Sequence, residues 1–146
     1  MGFFSKLFSS EPVKLTIYDE RDAYAAILLA CMNSDGNMSE EEKTAFYTAL
    51  ANRPFFAGRD VIETVTRAAN NLDKAGGSAA LIDMAASSIT ETTRIPLFTN
   101  CVDMILSDGQ VTPDEEKILE YLKTLFSIDD VFAGKCVEVL IAKNRI

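Results

Sequence analysis

The sequence contains no histidine, and it has only three cysteines among 146 residues. The absence of histidine excludes Ser-His-Asp and Cys-His catalysis, histidine-ligated zinc and the Glu-x-x-His di-iron sites of ferritin-like proteins. A metal ion bound by this chain would therefore be held by oxygen atoms. Oxygen ligands select calcium, magnesium or manganese.

The cysteines Cys31, Cys101 and Cys136 lie far apart in apolar segments, and none has a CxxC or zinc-type spacing. Scattered cysteines in odd number favour reduced thiols packed in the core of a cytosolic protein. No secretory signal is recognisable, and the longest apolar run, Ala23 to Met32, is far shorter than the ~20 residues of a transmembrane helix. We therefore expect a cytoplasmic protein.

Basic residues are also scarce, because 14 lysines and arginines stand against 22 aspartates and glutamates and give a net charge of −8. Nucleic-acid phosphates bind to clustered cationic surfaces, so we expect no nucleic-acid partner. An acidic surface favours cations or basic proteins instead. Hydrophobic residues make up 48% and charged residues 25%, which is typical of a globular chain with one core.

Apolar residues recur at helical spacing along most of the chain, in segments separated by Gly, Pro or Asp-Gly. This pattern predicts an all-α fold of seven helices with essentially no sheet. The run from Ala23 to Met32 is apolar all round, which predicts that the first helix lies in the middle of the core. Pro96 is expected near the first turn of the fifth helix, where proline is tolerated. The predicted helices span residues 19–33, 40–53, 60–75, 78–89, 93–106, 113–126 and 129–143.

Each predicted helix after the first has one apolar face, and that face is expected to turn towards the core. The sixth helix shows the pattern most clearly, because charged residues occupy its opposite face. The inward-facing residues predicted in helices two to seven are, in chain order, Ala45, Phe46, Ala49, Leu50, Ile62, Val65, Ala69, Leu72, Leu81, Ile82, Ala85, Ile89, Phe98, Cys101, Val102, Ile105, Ile118, Leu119, Leu122, Leu125, Phe126, Phe132, Cys136, Val137 and Leu140.

Residues 1–18 precede the first helix and are predicted to form an arm, so that the helical domain covers residues 19–146. Within this arm, Val13, Leu15 and Ile17 alternate with polar residues as a strand would. No partner strand is visible in the sequence. An extended segment is therefore predicted.

The beginning of the arm is a short apolar stretch. A helix over this stretch would place four large side chains on one face, with one lysine beside them. Two interpretations stay open, which are peripheral contact with a membrane surface through residues 1–8 and a terminus that packs back on the domain. The four apolar residues are Phe3, Phe4, Leu7 and Phe8, and the lysine is Lys6.

One nine-residue pattern occurs twice, as Ser34 to Glu42 and as Ser107 to Glu115. Each copy reads Ser-Asp-Gly, any residue, an apolar residue, Ser or Thr, two further residues and Glu. Each copy follows an apolar helix and precedes a charged amphipathic one. The glycines are 73 residues apart (109 − 36 = 73), about half the chain. The copies are therefore interpreted as matching corners of two related helix pairs.

Helix capping alone accounts for the residues of both corners. In each copy the Ser or Thr and the Glu three residues later form a capping box. The aspartate can brace an Asx turn, and the glycine permits a positive φ. In this interpretation the protein is a metal-free helical adaptor. The residues concerned are Asp35, Gly36, Ser39 and Glu42 in the first corner, and Asp108, Gly109, Thr112 and Glu115 in the second.

The corners also match the second half of an EF-hand calcium loop, in which glycine at position 6 precedes a bidentate glutamate at position 12. The first half of the loop is missing, because positions 1 and 3 fall on the apolar helices. Each corner alone supplies about two carboxylates, too few for a tight calcium site. If the helix pairs pack face to face, four carboxylates converge and hold one divalent cation weakly, with Glu41, Asp103, Asp114 and backbone carbonyls nearby. The predicted ligands are Asp35, Glu42, Asp108 and Glu115.

The seven-helix plan with two such corners resembles the TerB-like domains, which are named for a bacterial tellurite-resistance protein and occur also in co-chaperones of the DjlA kind. The resemblance covers roughly Asp19 to Lys143. It implies an all-helical fold with an acidic metal-binding surface, a role in tellurite or general chemical stress, and association with sister Ter proteins, some of them at the inner membrane. One departure is the first junction, Cys31 to Ser34, where such domains often have small, alanine-rich residues.

We therefore expect a cytoplasmic, non-enzymatic binding module of the stress response with an acidic divalent-cation site. The alternative of a different class is a metal-dependent hydrolase in which the same carboxylates activate water. The sequence shows no further general base or oxyanion donor at a recognisable spacing, which favours the binding module.

Overall fold

The structure is a computed structural model, and it describes residues 14–107 and 109–145. The described residues form seven α-helices and one short 3-10 turn, Pro54–Phe56, which confirms the predicted all-α fold. The apolar stretch from Phe3 to Phe8, Val13 and the predicted ligand Asp108 lie outside the described residues. The helices are α1 (Glu20–Met32), α2 (Glu40–Ala51), α3 (Val61–Ala75), α4 (Ser78–Ala86), α5 (Glu91–Leu106), α6 (Pro113–Leu125) and α7 (Asp130–Lys143).

Helix α1 lies in the middle of the core, as its composition predicts. Every residue from Ala23 to Met32 is buried. Helices α3, α4 and α5 make the most extensive contacts with α1, and α2 and α6 contact it less. Cys31 and Cys101 are completely buried free thiols, and Cys136 is a buried free thiol on α7. The prediction that the cysteines pack in the core is therefore confirmed.

The 73-residue offset of the sequence pattern is also an offset between helices. When 73 is added to their residue numbers, the bounds of α1 (Glu20–Met32) agree with those of α5 (Glu91–Leu106) to within about two residues. The bounds of α2 (Glu40–Ala51) agree in the same way with those of α6 (Pro113–Leu125). Helices α3 and α7 each follow these pairs, and α4 connects the two halves. The repeat therefore extends beyond the two corners to the two helices that flank each corner.

Residues 14–18 run in an extended conformation along α3 without forming a strand. The Thr16 amide donates to Asn71 Oδ1 at 2.8 Å, and Asn71 Nδ2 donates to the Thr16 carbonyl at 3.0 Å. Leu15 and Ile17, the neighbours of Thr16 in the sequence, pack against the core. The buried Asn71 side chain thus supplies both hydrogen bonds that a partner strand would give, because an amide carries a donor and an acceptor.

A buried carboxylate at the start of α1 joins that helix to α3. Asp22 is 2% exposed, and it accepts bonds from Arg59 Nη1 at 2.9 Å and from Arg67 Nε and Nη2 at 3.2 Å each. The Tyr18 amide donates to its second oxygen at 3.0 Å. Burial of a charge is costly unless the charge is paired and hydrogen-bonded, and Asp22 meets both conditions.

The predicted inner face of α3 is partly wrong. Ile62 is 65% exposed and Ala69 is also exposed, whereas Thr64 and Asn71 are buried. The reason is that the inner face contains polar residues whose bonds are satisfied, since the Thr64 hydroxyl donates to the Asp60 carbonyl at 3.0 Å. The pattern of apolar residues alone therefore predicted an inner face of α3 that is displaced by about one residue from the observed one.

Other differences concern helix ends and the last two helices. Leu125 and Phe132 are each 36% exposed, and Ala133 takes the inward position expected for Phe132. Helix α4 ends at Ala86, although Ile89 beyond it is buried as predicted. Helix α5 begins at Glu91, so Pro96 lies inside the helix and not in its first turn. The earlier start follows from Glu20 on α1, whose carboxylate accepts from the amide of the N-cap residue.

No helix of residues 14–107 and 109–145 has both the length and the apolar character needed to cross a membrane.

Replacement of Asp22 by Asn is expected to destabilise the fold by about 3 kcal/mol, because it removes the buried charge that pairs with Arg59 and Arg67, although Arg59 keeps its second partner Asp19. The measurement is urea unfolding at neutral pH. Glu63→Gln is the matched control, since Glu63 is 69% exposed and its carboxylate lies 3.9 Å from Arg67. The control is expected to change stability by less than about 0.5 kcal/mol. Equal effects of the two substitutions would contradict a structural role for the buried pair.

A second carboxylate makes stability depend on pH. Glu20 accepts from the Thr90 amide at 2.6 Å and from the Thr93 hydroxyl at 3.1 Å, which joins α1 to the start of α5. Burial raises the pKa of Glu20, but the bonds from Thr90 and Thr93 together outweigh this effect and hold the pKa below its ordinary value of 4.5. A lowered folded-state pKa gives stability that is present above the unfolded-state pKa and is lost as the pH falls through the folded-state pKa.

We therefore expect Glu20→Gln to be less stable than the wild type at about pH 7. The difference in free energy of unfolding between the two should become smaller as the pH falls towards about 3. Urea unfolding across this range measures the effect. Glu91→Gln, an exposed carboxylate in the first turn of α5, is the control. If the difference in free energy of unfolding between Glu20→Gln and the wild type is the same at every pH, protonation of Glu20 is not linked to folding.

Candidate functional site

The first corner connects the C-terminus of α1 to the N-terminus of α2. Gly36 has a φ of +84°, a backbone conformation that L side chains rarely adopt, and its amide donates to the Asn33 carbonyl at 2.9 Å. Asp35 is exposed, and its Oδ1 accepts from the Asn37 amide at 3.0 Å. The predicted Asx turn at Asp35 is therefore confirmed.

The second corner repeats this geometry between α5 and α6. Gly109 has a φ of +78°, and its amide donates to the Leu106 carbonyl at 3.0 Å. The Ser107 hydroxyl donates to the Met104 carbonyl at 2.7 Å. The two predicted positive-φ glycines are confirmed, whereas the role of Asp108 stays a prediction because that residue lies outside the described chain.

Both predicted capping boxes are present. Ser39 Oγ accepts from the Glu42 amide at 3.1 Å, and the Ser39 amide donates back to Glu42 Oε1 at 3.3 Å. The corresponding distances for Thr112 and Glu115 are 3.1 and 2.8 Å. Each glutamate side chain is therefore fixed over the first turn of its helix. Only one oxygen of each carboxylate takes part in these cap bonds.

A small cavity lies where the two corners meet, and it has a volume of about 40 Å³. About 10–15 Å³ of such volume holds one water molecule, so the cavity can take a cation with a water. It is related to the repeat, because Met32 and Ile105, and likewise Glu42 and Glu115, are pairs separated by 73 residues. Helices α1 and α5 end at this cavity, and α2 and α6 begin there. Its lining consists of Met32, Glu42, Ala45, Met104, Ile105, Ser107 and Glu115.

The structure thus brings together two of the four predicted ligands, Glu42 and Glu115. Glu42 is half-buried and Glu115 is 9% exposed. Asp35 does not line the cavity, and its carboxylate faces the neighbouring loop amide. Within residues 14–107 and 109–145, no three aspartate, glutamate or cysteine side chains are close enough to hold a metal ion together.

The secondary candidates lie away from the cavity. Asp103 pairs with Lys143 Nζ at 2.9 Å and accepts from Asn144 Nδ2 at 2.9 Å, so its carboxylate serves to hold the end of α7. Glu41 and Asp114 are exposed and are not part of the lining. These three residues therefore do not complete a cation site at the corners.

Two further observations bear on whether an ion fits. Ser34 Oγ, in the first corner, is buried and has no hydrogen-bond partner among the described residues. The last turns of α1 and α5 also end beside the cavity, and the final carbonyls of a helix lack intrahelical partners. Hydroxyl, carbonyl and carboxylate oxygens are the donors that calcium and magnesium prefer. Among the residues that line the cavity, the carboxylates of Glu42 and Glu115 and the hydroxyl of Ser107 are donor types that fit a hard divalent cation.

Comparison with known proteins places the chain in a family. Residues 21–133 match the family model described as tellurite resistance protein TerB. This match covers most of the chain, and the chain belongs to the TerB family. No curated protein and no solved structure gave a match.

The contribution of each cap to stability can be measured separately from any ion. Ser39→Ala and Thr112→Ala each remove a hydroxyl that accepts from a helix amide, and each is expected to cost about 1 kcal/mol. The cost for Thr112 should be the larger, because its partner Glu115 is the more buried. Urea unfolding after removal of divalent ions gives the values, with Ser88→Ala, an exposed serine after α4, as control. Caps that form only in the presence of an ion would give no cost under these conditions.

Proposed function

We propose that this TerB-family chain is a non-enzymatic binding module whose two corners share one weakly held divalent cation. The observation that supports the proposal best is that Glu42 and Glu115 line the same cavity at the junction of the two halves. Two carboxylates that face one small cavity repel each other, and a cation between them removes the repulsion. Asp35 and Asp108, the other two ligands that the sequence pattern predicts, stay as further candidates.

The cap bonds and a cation are compatible. A carboxylate has two oxygens and about four lone-pair sites, and each cap bond uses one of them. The caps hold Glu42 and Glu115 in fixed rotamers, which lowers the entropy cost of binding an ion. The ion would therefore add to the capping interaction without replacing it.

The structure also supports one alternative function, that of a metal-free helical adaptor. Both capping boxes and the Asx turn at Asp35 are complete without an ion, so helix capping alone gives the motif residues a role. The alternative of a hydrolase has less support, because the cavity between the corners holds about 40 Å³ and offers little room for a substrate.

The cellular role that we propose takes its support from the family description. We propose that the module acts in the response to tellurite or to chemical stress, in the cytoplasm or at the inner face of the membrane. Its partners would be proteins, with sister Ter proteins as the first candidates. Its acidic composition, with a net charge of −8, supports binding to a basic protein surface.

The test is thermal unfolding of chelator-treated protein with and without millimolar calcium, magnesium or manganese. An ion that binds only the folded state raises the midpoint, and about 100-fold excess over its dissociation constant contributes about 2.7 kcal/mol. The double substitution Glu42→Gln, Glu115→Gln is expected to abolish the rise. Because glutamine also completes a capping box, this variant should keep nearly the wild-type midpoint without ions.

The matched control is the double substitution Ser39→Ala, Thr112→Ala, which removes both caps and keeps all the carboxylates. It should lower the midpoint without ions and retain a rise with them. A midpoint that no ion changes would refute the cation site and favour the metal-free adaptor. A rise that survives in the glutamine variant would place the ion elsewhere on the acidic surface.

A further inference from the structure

An apolar groove of about 690 Å³ lies between α5, α6 and α7. Val102 on α5, Leu119 on α6, and Val137 and Ile141 on α7 are among the residues that line it. The groove and the corner cavity share no lining residue, so the two are separate sites. Pockets of about 300–1,000 Å³ with apolar linings are typical of binding sites. The groove is therefore a second candidate site, outside the two corners.

The groove is open because α7 packs on one side only. Within the described residues α7 makes extensive contacts with α5 and few with any other helix. Val111 and Ile141, which line the groove, are each 43% exposed. Exposed apolar side chains that line one continuous surface mark an interaction site.

The first half of the repeat shows how the equivalent place is filled. With the offset of 73, Leu119 corresponds to Phe46 on α2, and Lys123 corresponds to Leu50. Phe46 is 2% exposed and Leu50 is completely buried, and α2 packs directly on α3. The second half has a smaller side chain and a charged one at these positions. Apolar side chains supplied by a partner would cover the corresponding surface.

Gly134 gives the groove a wall that another backbone can approach closely. This residue lies inside α7 and lines the groove, and a Cβ atom added to it would meet no described atom within 4 Å. Glycine inside a helix is destabilising relative to alanine, and no close neighbour among the described residues requires it here. The distance between two packed helices depends on the side chains at their contact. A glycine at this position favours a helix as the occupant.

The rim of the groove is acidic. Glu116, Glu120 and Asp130 belong to its lining together with a single cation, Lys123. Lys123 Nζ lies 2.6 Å from Asp130 and 2.8 Å from Glu120, which joins α6 to α7. Glu116 forms no hydrogen bond or ion pair with any other described residue. One lysine does not neutralise three carboxylates, so the rim attracts positive charge.

The surface fits one of the common modes of peptide recognition. Strand addition needs a sheet edge, and the described residues form no sheet. Proline-rich segments bind to grooves lined by several aromatic rings, whereas Phe98 is the only aromatic residue in this lining. Acidic motifs bind to arginine clusters, and the rim has the opposite charge. A groove between helices is typical of a site for an amphipathic helix.

We propose that this groove binds an amphipathic α-helix of a partner protein, with apolar residues in the groove and basic residues at the acidic rim. The apolar residues of the partner are spaced i, i+3, i+4 and i+7, and its backbone passes close to Gly134. The proposal rests on the proposed function in one respect, since it takes the chain as a binding module and names the chemistry of its partner. It does not depend on the cation, because the groove shares no residue with the corner cavity.

The probe is a synthetic peptide of leucine and lysine, about four helical turns long, with its leucines at helical spacing. Fluorescence anisotropy of the labelled peptide measures its binding to the full chain in the presence of a chelator. A control peptide has the same composition with leucine at every second position, which gives an apolar face only in a strand. The helical peptide is expected to bind at least about tenfold more tightly than the control.

Two substitutions in the groove should each weaken binding of the helical peptide by at least about tenfold. Ile141→Lys places a charge on the apolar surface, and Gly134→Leu fills the space beside α7. Gly134→Leu should also raise the unfolding midpoint, because leucine is the better helix former, so its loss of binding would not be a loss of fold. Val139→Lys is the matched control for Ile141→Lys, since Val139 is 65% exposed on the same helix and does not line the groove.

A charge reversal tests the rim. Glu116→Lys should weaken binding of the lysine peptide and tighten binding of a peptide in which glutamate replaces every lysine. Asp114→Lys is the matched control, because Asp114 lies in the same first turn of α6, outside the groove lining, and changes the net charge equally. Equal effects of the two substitutions would show that the peptide follows the overall charge of the chain and not the rim.

Three outcomes would overturn the proposal. A helical peptide that binds no more tightly than the control peptide would exclude recognition of a helix. Binding that Ile141→Lys and Val139→Lys weaken equally would place the peptide elsewhere on the acidic surface. A dimer in light scattering that Ile141→Lys dissociates, with peptide binding only after dilution, would mean that a second copy of the chain occupies the groove.

The chelator keeps this test apart from that of the cation site. Peptide binding in chelator, without any rise in midpoint on addition of ions, would support the groove and refute the cation site. A rise in midpoint without peptide binding would have the opposite meaning.

Discussion

Helix α1 has no polar face between Ala23 and Met32, and the arrangement of the other helices follows from the need to cover it on every side. An ordinary surface helix buries one stripe and needs one neighbour, whereas α1 needs several. Helices α3, α4 and α5 supply most of this cover. Polar groups lie at both ends of α1. The ion pairs of Asp22 lie at one end, and the cavity between the corners lies at the other.

The repeat explains why the corner cavity lies where it does. When two related helix pairs pack together, residues at equivalent positions meet near the axis that relates them. Glu42 and Glu115 meet in this way, and so do Met32 and Ile105. Away from this junction the halves differ, for example where Leu119 and Lys123 stand at the positions equivalent to Phe46 and Leu50. One pseudosymmetric fold thus carries a shared site at the junction and a groove in one half only.

The sequence predicted the helices and the corners well, because both depend on local chemistry. The periodicity of α1, the capping boxes and the positive-φ glycines each involve residues close together in the chain. The errors came from contacts between distant residues. Thr64 and Asn71 are polar residues on the inner face of α3, and Asn71 binds a segment 55 residues away. The early start of α5 similarly depends on Glu20, 70 residues before Thr90.

For the site, the sequence identified the two glutamates but could not show which carboxylates converge. Asp103 was expected only near the site, and its carboxylate instead pairs with Lys143 at the end of α7. The 73-residue offset alone does not decide which carboxylates converge, because Asp35 and Asp108 are also equivalent positions and Asp35 does not line the cavity.

The central position of α1 has a consequence for synthesis of the protein. Helix α1 begins at Glu20, and its covering helix α5 begins at Glu91, about 70 residues later. At the usual rates of about 5–20 residues per second, a ribosome needs roughly 4–14 seconds to produce the intervening chain. During that interval the most deeply buried of the described helices has been synthesised without all of its final neighbours. The nascent chain is therefore most prone to aggregate before the second half of the repeat has been synthesised.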